Sequence, residues 1–281
     1  MELSELIRQL SAYKKEYDAV VKLLQEILRL DTDREKNLAQ IKSKIDKLSK
    51  AVEKLDSNFL HKDSYLTWTR EYREILVATE ESYKRRFGSE LSAALTAKGY
   101  SLSGQYPLLR AGLFTLQLDF GKDTAVLWYG PRQEKLDTCH LAVAQVVECL
   151  EKCRETLGSK LEPSDFMALL HNAYLRLEGG RKKEDVAITS VLPEIAFLLQ
   201  NPSFQQNPRR ENFVNYTRAD FSFDLYRFRF KNSGERPLFE KKLHLRSTTL
   251  SSTASRKTFL WIPSDDEGNG STYSQMRFEE E

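Results

Sequence analysis

A heptad pattern of apolar residues runs from Leu3 to Phe59 and constrains the fold more than any other feature. With Leu3 at position a and Leu6 at position d, apolar residues fill nearly every a and d position at alternating spacings of three and four. This pattern predicts an amphipathic helix that packs against another helix as a coiled coil. The predicted coiled-coil interface consists of Leu3, Leu6, Leu10, Tyr13, Tyr17, Val20, Leu24, Ile27, Leu38, Ile41, Ile45, Leu48, Val52 and Leu55.

Asp31 and Arg34 interrupt the pattern, and two structures are compatible with them. One is an unbroken helix of about 57 residues, roughly 85 Å long at 1.5 Å per residue. The other is a hairpin that bends at residues 31–33. The register is the same on both sides and neither Gly nor Pro is present, so we expect the continuous helix. Asp31 and Arg34 would then form a polar layer of the kind that fixes register or partner choice.

A second helix is predicted to begin at Asp63 or Ser64, either of which offers a capping oxygen, and to end by Gly99. It is shorter than the first helix, so it folds back antiparallel over only the half nearest residue 60. Residues 1–98 are therefore expected to form a long helical coiled-coil hairpin. Its N-terminal half, Leu3 to Ile27, would remain available to a partner.

Residues 99–281 are predicted to form a globular α+β domain. Alternating apolar residues over 106–120 and 124–129 indicate a β-hairpin around Gly121. A helical part at 134–200 and a mostly β part at 216–278, ending in an antiparallel sheet, follow. The expected helices span 134–157, 164–177 and 189–200, with Ser164 or Asp165 and then Ser190 as caps; the expected strands span 220–225, 227–230, 243–246, 258–262 and 273–278.

The order of helix, turn, helix and strands after residue 164 is also that of a winged helix-turn-helix. The second helix of such a module, residues 189–200, is rich in leucine and isoleucine. That composition is typical of a helix packed in a core. We therefore expect a winged-helix-like arrangement without base reading as an alternative for this segment.

Basic residues concentrate between Arg209 and Lys257, where twelve Lys or Arg face five Asp or Glu in a chain of net charge +2. In the predicted strand, Arg227, Arg229 and Lys231 share one face, which could neutralise phosphates. A half-buried strand with a solvated charged side produces the same pattern. The candidate nucleic-acid-binding residues are Arg209, Arg210, Arg218, Arg227, Arg229, Lys231, Lys241 and Lys242.

Two candidate chemical sites are weaker. Cys149 and Cys153 share a helix face and Cys139 precedes them, but the paired spacing of zinc sites is missing, so buried structural cysteines and no metal are expected. Asp224 and Glu240 with its neighbouring lysines offer the residue types of a metal-dependent nuclease, without the apolar framework that such a site needs. No catalytic residue and no cofactor are predicted.

Motifs of nucleotide, hydrolase and metalloprotease sites are absent from the sequence. No apolar run approaches the roughly 20 residues that span a bilayer, the N-terminus lacks the pattern of a signal peptide, and an odd cysteine count fits a reducing cytosol. We therefore expect a cytoplasmic, non-enzymatic structural or adaptor subunit that does not contact membranes. Its coiled coil would form a homo- or hetero-oligomer, or dock onto a larger assembly such as an ATPase or nuclease complex. The alternatives are a nucleic-acid-binding protein with a basic, aromatic C-terminal sheet and a metal-dependent nuclease.

Overall fold

A computed structural model describes residues 3–55, 61–179, 185–229, 241–247 and 258–280. Its mixture of helices and antiparallel sheets, with a long N-terminal helix, confirms the predicted α+β class. The chain divides into two compact units. Met1–Leu91 with Phe120–Asp123 forms the helical unit, and Ser92–Asp119 with Thr124–Glu281 forms the sheet unit.

The helical unit begins with two helices that pack against each other as a hairpin. Helix α1 spans Leu3–Asp31 and helix α2 spans Leu38–Glu53. Contacts beside the turn, from Asn37 to Leu30, and further from it, from Lys44 to Glu26, show that the two helices run antiparallel. The predicted continuous helix is therefore wrong, and the chain reverses over residues 32–37.

The reversal is built from polar groups of the interrupted heptads. The side-chain amide of Asn37 donates to the carbonyl oxygen of Leu30 at 2.9 Å, and the Arg34 guanidinium pairs with Asp31 at 2.6 Å. No apolar residue occurs from Asp31 to Asn37, so a continuous helix would gain no packing there. Folding back lets the apolar stripes of α1 and α2 bury each other. The unchanged heptad register is compatible with this arrangement but does not indicate it.

Helix α3 spans Lys62–Thr96 and ends before Gly99 as predicted. It begins before Asp63, so the predicted caps Asp63 and Ser64 are wrong, because both lie inside the first turn. Its ion pairs with α2 join Lys42 to Glu80 and Asp46 to Arg73, so α3 runs antiparallel to α2. The buried core of the helical unit draws on all three helices. Its members are Val20, Ile27, Leu30, Leu38, Ile41, Ile45, Leu48, Val52, Leu55, Tyr72 and Leu76.

The sheet unit opens with a five-stranded antiparallel meander in sequence order. Its third and fourth strands form the predicted β-hairpin. The segment 134–140, predicted as the start of a helix, is the fifth strand, because it pairs with the fourth strand throughout. The strands are β1 Leu102–Gln105, β2 Leu108–Ala111, β3 Phe114–Asp119, β4 Thr124–Tyr129 and β5 Glu134–His140.

Helices follow the meander, and the first three lie near the positions that the sequence predicts. The expected caps Ser164, Asp165 and Ser190 are wrong, since Glu162 and Ala187 precede the second and third of these helices without a capping side-chain bond. The helices are α4 Val143–Thr156, α5 Pro163–Glu178, α6 Ile188–Leu198, α7 Pro202–Gln206 and α8 Arg218–Arg229, with a 3-10 turn at Arg210–Asn212.

Helix α8 replaces the strands predicted over 220–230. A reciprocal capping box begins it, in which the Thr217 backbone amide donates to Asp220 at 2.8 Å and the Asp220 amide donates back to Thr217 Oγ1 at 3.3 Å. Phe221, Leu225 and Phe228 recur at helical spacing and are buried. The alternation of aromatic and polar residues was therefore a poor guide here.

A second antiparallel sheet completes the unit, with its longest strand in the centre. The strands predicted at 243–246, 258–262 and 273–278 are confirmed within it. Its strands are β6 Val186–Ala187, β7 Lys241–Ser247, β8 Leu260–Pro263 and β9 Gly270–Glu280, of which β9 pairs with the other three. Among the described residues, no helix is both long and apolar enough to cross a membrane.

Candidate docking surface, arginine cavity and thiol cluster

The N-terminal part of α1 carries an exposed apolar stripe, which we call the N-terminal seam. Helix α1 has 29 residues and its partner α2 only 16, so about 20 Å of α1 extends past the hairpin at 1.5 Å per residue. Leu3 is 73% exposed and Leu10 68%, whereas Val20 and Ile27, further along the same stripe, are buried. The N-terminal seam comprises Leu3, Leu6, Ile7, Leu10, Tyr13 and Tyr17.

The structure thus divides the predicted coiled-coil interface into two groups. From Val20 onward the predicted residues lie in or against the hairpin core, with Leu24 partly buried beside it. The first five, Leu3, Leu6, Leu10, Tyr13 and Tyr17, are exposed. Ile7 joins them because it lies one position after Leu6, in the e position that the heptad analysis did not include.

The polar layer predicted at Asp31 and Arg34 instead ties the hairpin turn to α3. The hydroxyl of Tyr72 donates to the Asp31 carboxylate, and the Arg34 guanidinium lies 5.5 Å from the centroid of the Tyr72 ring. The hydrogen bond from Arg34, followed by that from Tyr72, lowers the pKa of Asp31. Burial and the adjacent Asp31 raise the pKa of Tyr72 to about 12. This layer stabilises the fold within one chain.

The predicted basic face does not form as a strand surface, because Arg227 and Arg229 lie on α8. Arg227 donates to the carbonyl oxygen of Leu161 at 2.9 Å and pairs with Asp224 at 3.4 Å. The side chain of Arg229 and all of Lys231 lie outside the described residues. The remaining candidates are spread over separate elements: Arg209 and Arg210 near the 3-10 turn, Arg218 at the start of α8, and Lys241 and Lys242 on β7.

Asp224, a candidate in the nuclease hypothesis, is fully buried and joins three segments. It accepts hydrogen bonds from the Ser159 amide at 2.8 Å and the Tyr216 hydroxyl at 2.9 Å, beside the ion pair with Arg227. Burial raises the pKa of its carboxyl group. Its other suggested partner, Glu240, lies outside the described residues. These contacts give Asp224 a structural role.

A cavity of about 630 Å³ lies within the sheet unit, and we call it the arginine cavity. Arg110 of β2, Arg132 of the β4–β5 turn and Arg218 all line it. Among the described residues that line it, none is acidic. Arg110 and Arg132 make no ion pair with any other described residue, whereas Arg218 donates to the carbonyl oxygen of Phe259. The cavity is therefore a strongly cationic surface with space for a ligand.

The lining holds a further donor and one strained residue. The side-chain Nε2 of Gln133 is buried and has no hydrogen-bond partner within the described part of the chain, while its Oε1 accepts from the Trp261 amide at 2.6 Å. Buried donors are rarely left without a partner. Arg132 adopts a left-handed φ of 60°, a conformation that non-glycine residues keep mainly where function or packing requires it.

Trp261 lines the arginine cavity, and two glycines allow its ring to pack there. A Cβ atom at Gly130 would lie 2.6 Å from Cζ3 of the indole, and one at Gly270 would lie 2.7 Å from its Cε2. The ring of Tyr129 meets the indole edge to face, with the two ring centroids 5.6 Å apart. Sequence analysis missed Arg110 and Arg132; the only local signal is the Gly-Pro turn that precedes Arg132.

The three cysteines converge in the sheet unit, which the sequence interpretation did not anticipate. Cys139 lies on β5 and not, as expected, on the helix that carries Cys149 and Cys153. Oxygen of Asp137 and the sulfurs of Cys149 and Cys153 all lie within 4.8 Å of one another, and Cys139 lies on the same face of β5 as Asp137. Burial raises the pKa of each of the three thiols.

Comparison of the chain with family models, with curated proteins and with solved structures finds no match.

Proposed function

We propose that this protein is a non-enzymatic subunit of an assembly and that its N-terminal seam associates with the same seam of a second copy. One observation carries the proposal. The seam continues, with the same spacing, the stripe that is buried in the hairpin core, yet six large apolar side chains on it are exposed. Exposed apolar patches on this scale are typical of interaction sites.

Charge and composition favour a second copy as the partner. The segment from Leu3 to Ala19 contains three basic residues and three acidic ones, so two copies do not repel each other. The acidic Glu5 already pairs with Arg8 at 3.0 Å within the helix. Leucines three and four residues apart offer both the knobs and the holes of a two-stranded coiled coil. The seam is thus complementary to itself.

The free energy of association requires that most side chains of the N-terminal seam be buried together. Burying the exposed part of one such side chain contributes on the order of 1 kcal/mol. Association costs at least about 4 kcal/mol in lost translational and rotational freedom. Only a continuous seam overcomes this cost, and a charge at its centre should abolish association.

Sedimentation of the full chain tests the proposal. We expect the wild type to dimerise at concentrations up to about 100 μM, and Leu10→Asp to be monomeric. Leu28→Asp is the matched control, because Leu28 is 73% exposed on α1 but lies outside the seam, and it should dimerise like the wild type. A monomeric wild type, or equal loss of dimer in both variants, would overturn self-association.

The arginine cavity favours a second function, the binding of a phosphate-bearing ligand. Nucleic acid is one such ligand, so this function moves the nucleic-acid hypothesis from the predicted basic strand to the cavity. Three guanidinium groups, a buried amide donor and no acidic side chain among the described lining residues support it. Arginine pairs with phosphate through two parallel hydrogen bonds. Cavities of this volume accept molecules the size of a nucleotide.

Binding measurements with inorganic phosphate, a mononucleotide and a 5′-phosphorylated single-stranded oligonucleotide test this second function. Arg132→Glu should abolish binding, whereas Arg210→Glu, an equal charge change at an exposed site outside the cavity, should not. Binding of the oligonucleotide alone identifies nucleic acid as the source of the phosphate. Binding of the small probes identifies a metabolite, and no binding of any probe refutes the function.

A winged-helix-like module is a further part of the proposal. The order α5, β6, α6, α8, β7 and β9, with β9 between β6 and β7, supports it. Ala219, Phe221 and Leu225 of α8 are buried, so the module is suited to packing and not to reading bases. Three free cysteines support a cytoplasmic location, which stays a prediction.

A further inference from the structure

The cluster of thiols and a carboxylate between β5 and α4 is independent of the N-terminal seam and of the arginine cavity. Asp137, Cys149 and Cys153 each bring one ligand atom, and these atoms all lie within 4.8 Å of one another. Cys139 lies beside the cluster, two residues after Asp137 on the same face of β5. The four residues come from two elements that pack together in the sheet unit.

Local geometry explains why these residues meet. Cys149 and Cys153 are four residues apart on α4 and share one helix face, where each is 7% exposed. On β5, Leu127 of β4 pairs with Asp137 while Trp128 pairs with Lys135, which leaves Leu136 as the extra residue of a β-bulge. The bulge reverses the alternation of the strand, so that Asp137 and Cys139 both face inward.

The side chains of the cluster stabilise one another only weakly. A carboxylate and thiols are acceptors or weak donors, so they offer one another few favourable contacts. A cation among the ligand atoms would be attracted by every member of the cluster.

We propose that Asp137, Cys149 and Cys153 bind a zinc ion, with Cys139 as the fourth ligand. Zinc prefers four ligands in a tetrahedron, with bonds of about 2.3 Å to sulfur and about 2.1 Å to oxygen, which places neighbouring ligand atoms roughly 3.6–3.8 Å apart. Asp137, Cys149 and Cys153, whose ligand atoms lie within 4.8 Å of one another, reach this geometry with side-chain shifts of about 1 Å. Cys139 lies outside that group and has to move closer to complete the tetrahedron. The sulfurs exclude magnesium and calcium, and the carboxylate oxygen disfavours copper(I).

Such a site would be structural, because all four ligands come from the chain and none is fully exposed. It would fasten β5 to α4 at the position of the bulge. Paired cysteines of the usual close spacing are not required, since the strand supplies one half of the site and the helix the other.

Cobalt(II) substitution of the full chain tests the site. The purified protein should carry one zinc per chain, and after chelation, cobalt should give the visible absorption of a tetrahedral thiolate site that zinc then displaces. Cys149→Ser and Cys153→Ser should lose the absorption, and Asp137→Asn should shift its bands and weaken affinity. His140→Gln is the control, because His140 lies on the outer face of β5 and could itself bind cobalt.

Two further measurements keep the outcome clear. Far-UV circular dichroism confirms that each variant folds, and Asp137→Asn, at a half-buried position, is expected to do so. Bound zinc should also protect the thiols from a disulfide reagent at least tenfold. A folded wild type that gives no cobalt absorption, or an absorption that survives Cys149→Ser, would overturn the site, as would a disulfide in place of the metal.

Discussion

Replacing Gly130 by alanine should destabilise the sheet unit through two separable effects. Gly130 has a left-handed φ of 56°, which costs an alanine about 1 kcal/mol. The added Cβ would also lie 2.6 Å from Cζ3 of Trp261, well inside contact distance. Overpacking of this kind costs about 1–3 kcal/mol. We expect the free energy of unfolding to fall by about 2–4 kcal/mol.

Gly179→Ala measures the backbone part of this effect without the steric part. Gly179 has a nearly equal φ of 63° at the end of α5, but a Cβ there meets no atom within 4 Å. Its replacement should therefore cost only the backbone term of about 1 kcal/mol. The difference between the two variants measures the contact with Trp261.

Urea denaturation, followed by tryptophan fluorescence and circular dichroism, provides the assay. With a slope of about 3 kcal/mol per molar urea, Gly130→Ala should lower the midpoint by roughly 1 M, and Gly179→Ala by about a third of that. In a Trp261→Leu background, Gly130→Ala should become milder by about 1–2 kcal/mol. Equal midpoints for the two glycine variants, or no change in the Trp261→Leu background, would refute the packing argument.

Three other perturbations have defined outcomes. Ile45→Ala, at a fully buried hairpin position, should cost about 2–5 kcal/mol of helical-unit stability by thermal melting. Thr217→Ala removes half of the α8 capping box and should cost about 0.5–2 kcal/mol in urea. Asp31→Asn should lower the free energy of unfolding at pH 7, and this loss of stability should become smaller as the pH falls. The folded pKa of Asp31 is lowered by Arg34, so its contribution is present above the unfolded value near 3.8 and is lost as pH falls through the folded value.

Exposed or uninvolved neighbours serve as controls for these three. Ile75→Ala, at a position 45% exposed on α3, should change stability by less than about 1 kcal/mol. Ser164→Ala should be nearly neutral, because Ser164 does not cap α5. Asp33→Asn should not reproduce the pH dependence of Asp31→Asn. An Ile45→Ala variant as stable as wild type would contradict the hairpin core.

Much of the fold follows from local sequence signals. The apolar heptads of α1 and α2, Gly99 beyond the end of α3, and the alternating strands β3, β4 and β9 all depend on neighbouring residues. The hairpin turn could not be predicted from local signals, because an unbroken heptad register is compatible with both one straight helix and two helices that fold back on each other. What separates them is the burial gained when Ile41 and Ile45 meet α1, a contact between distant residues.

The candidate sites were harder to predict than the fold, since each depends on residues far apart in sequence. The arginine cavity joins Arg110, Arg132 and Arg218 from three elements. The thiol cluster depends on the bulge at Leu136, which shifts the alternation of β5 by one residue and makes it resemble a helix start. The strand assignment for 220–230 failed although Thr217 and Asp220 stand at capping-box spacing, a local signal outweighed by aromatic alternation.

Because α1 is longer than α2, mutations in its two halves have different consequences. Mutations near Ile27 affect folding, because Ile27 is buried in the hairpin core. Mutations at the exposed Leu6 or Leu10 leave that core intact. Mutation would therefore be free to erode the leucines of the projecting segment unless association maintained them. Under the proposed association, deleting or adding one heptad there would change the length of the interface and leave the hairpin core intact. The segment would then evolve as an independent module.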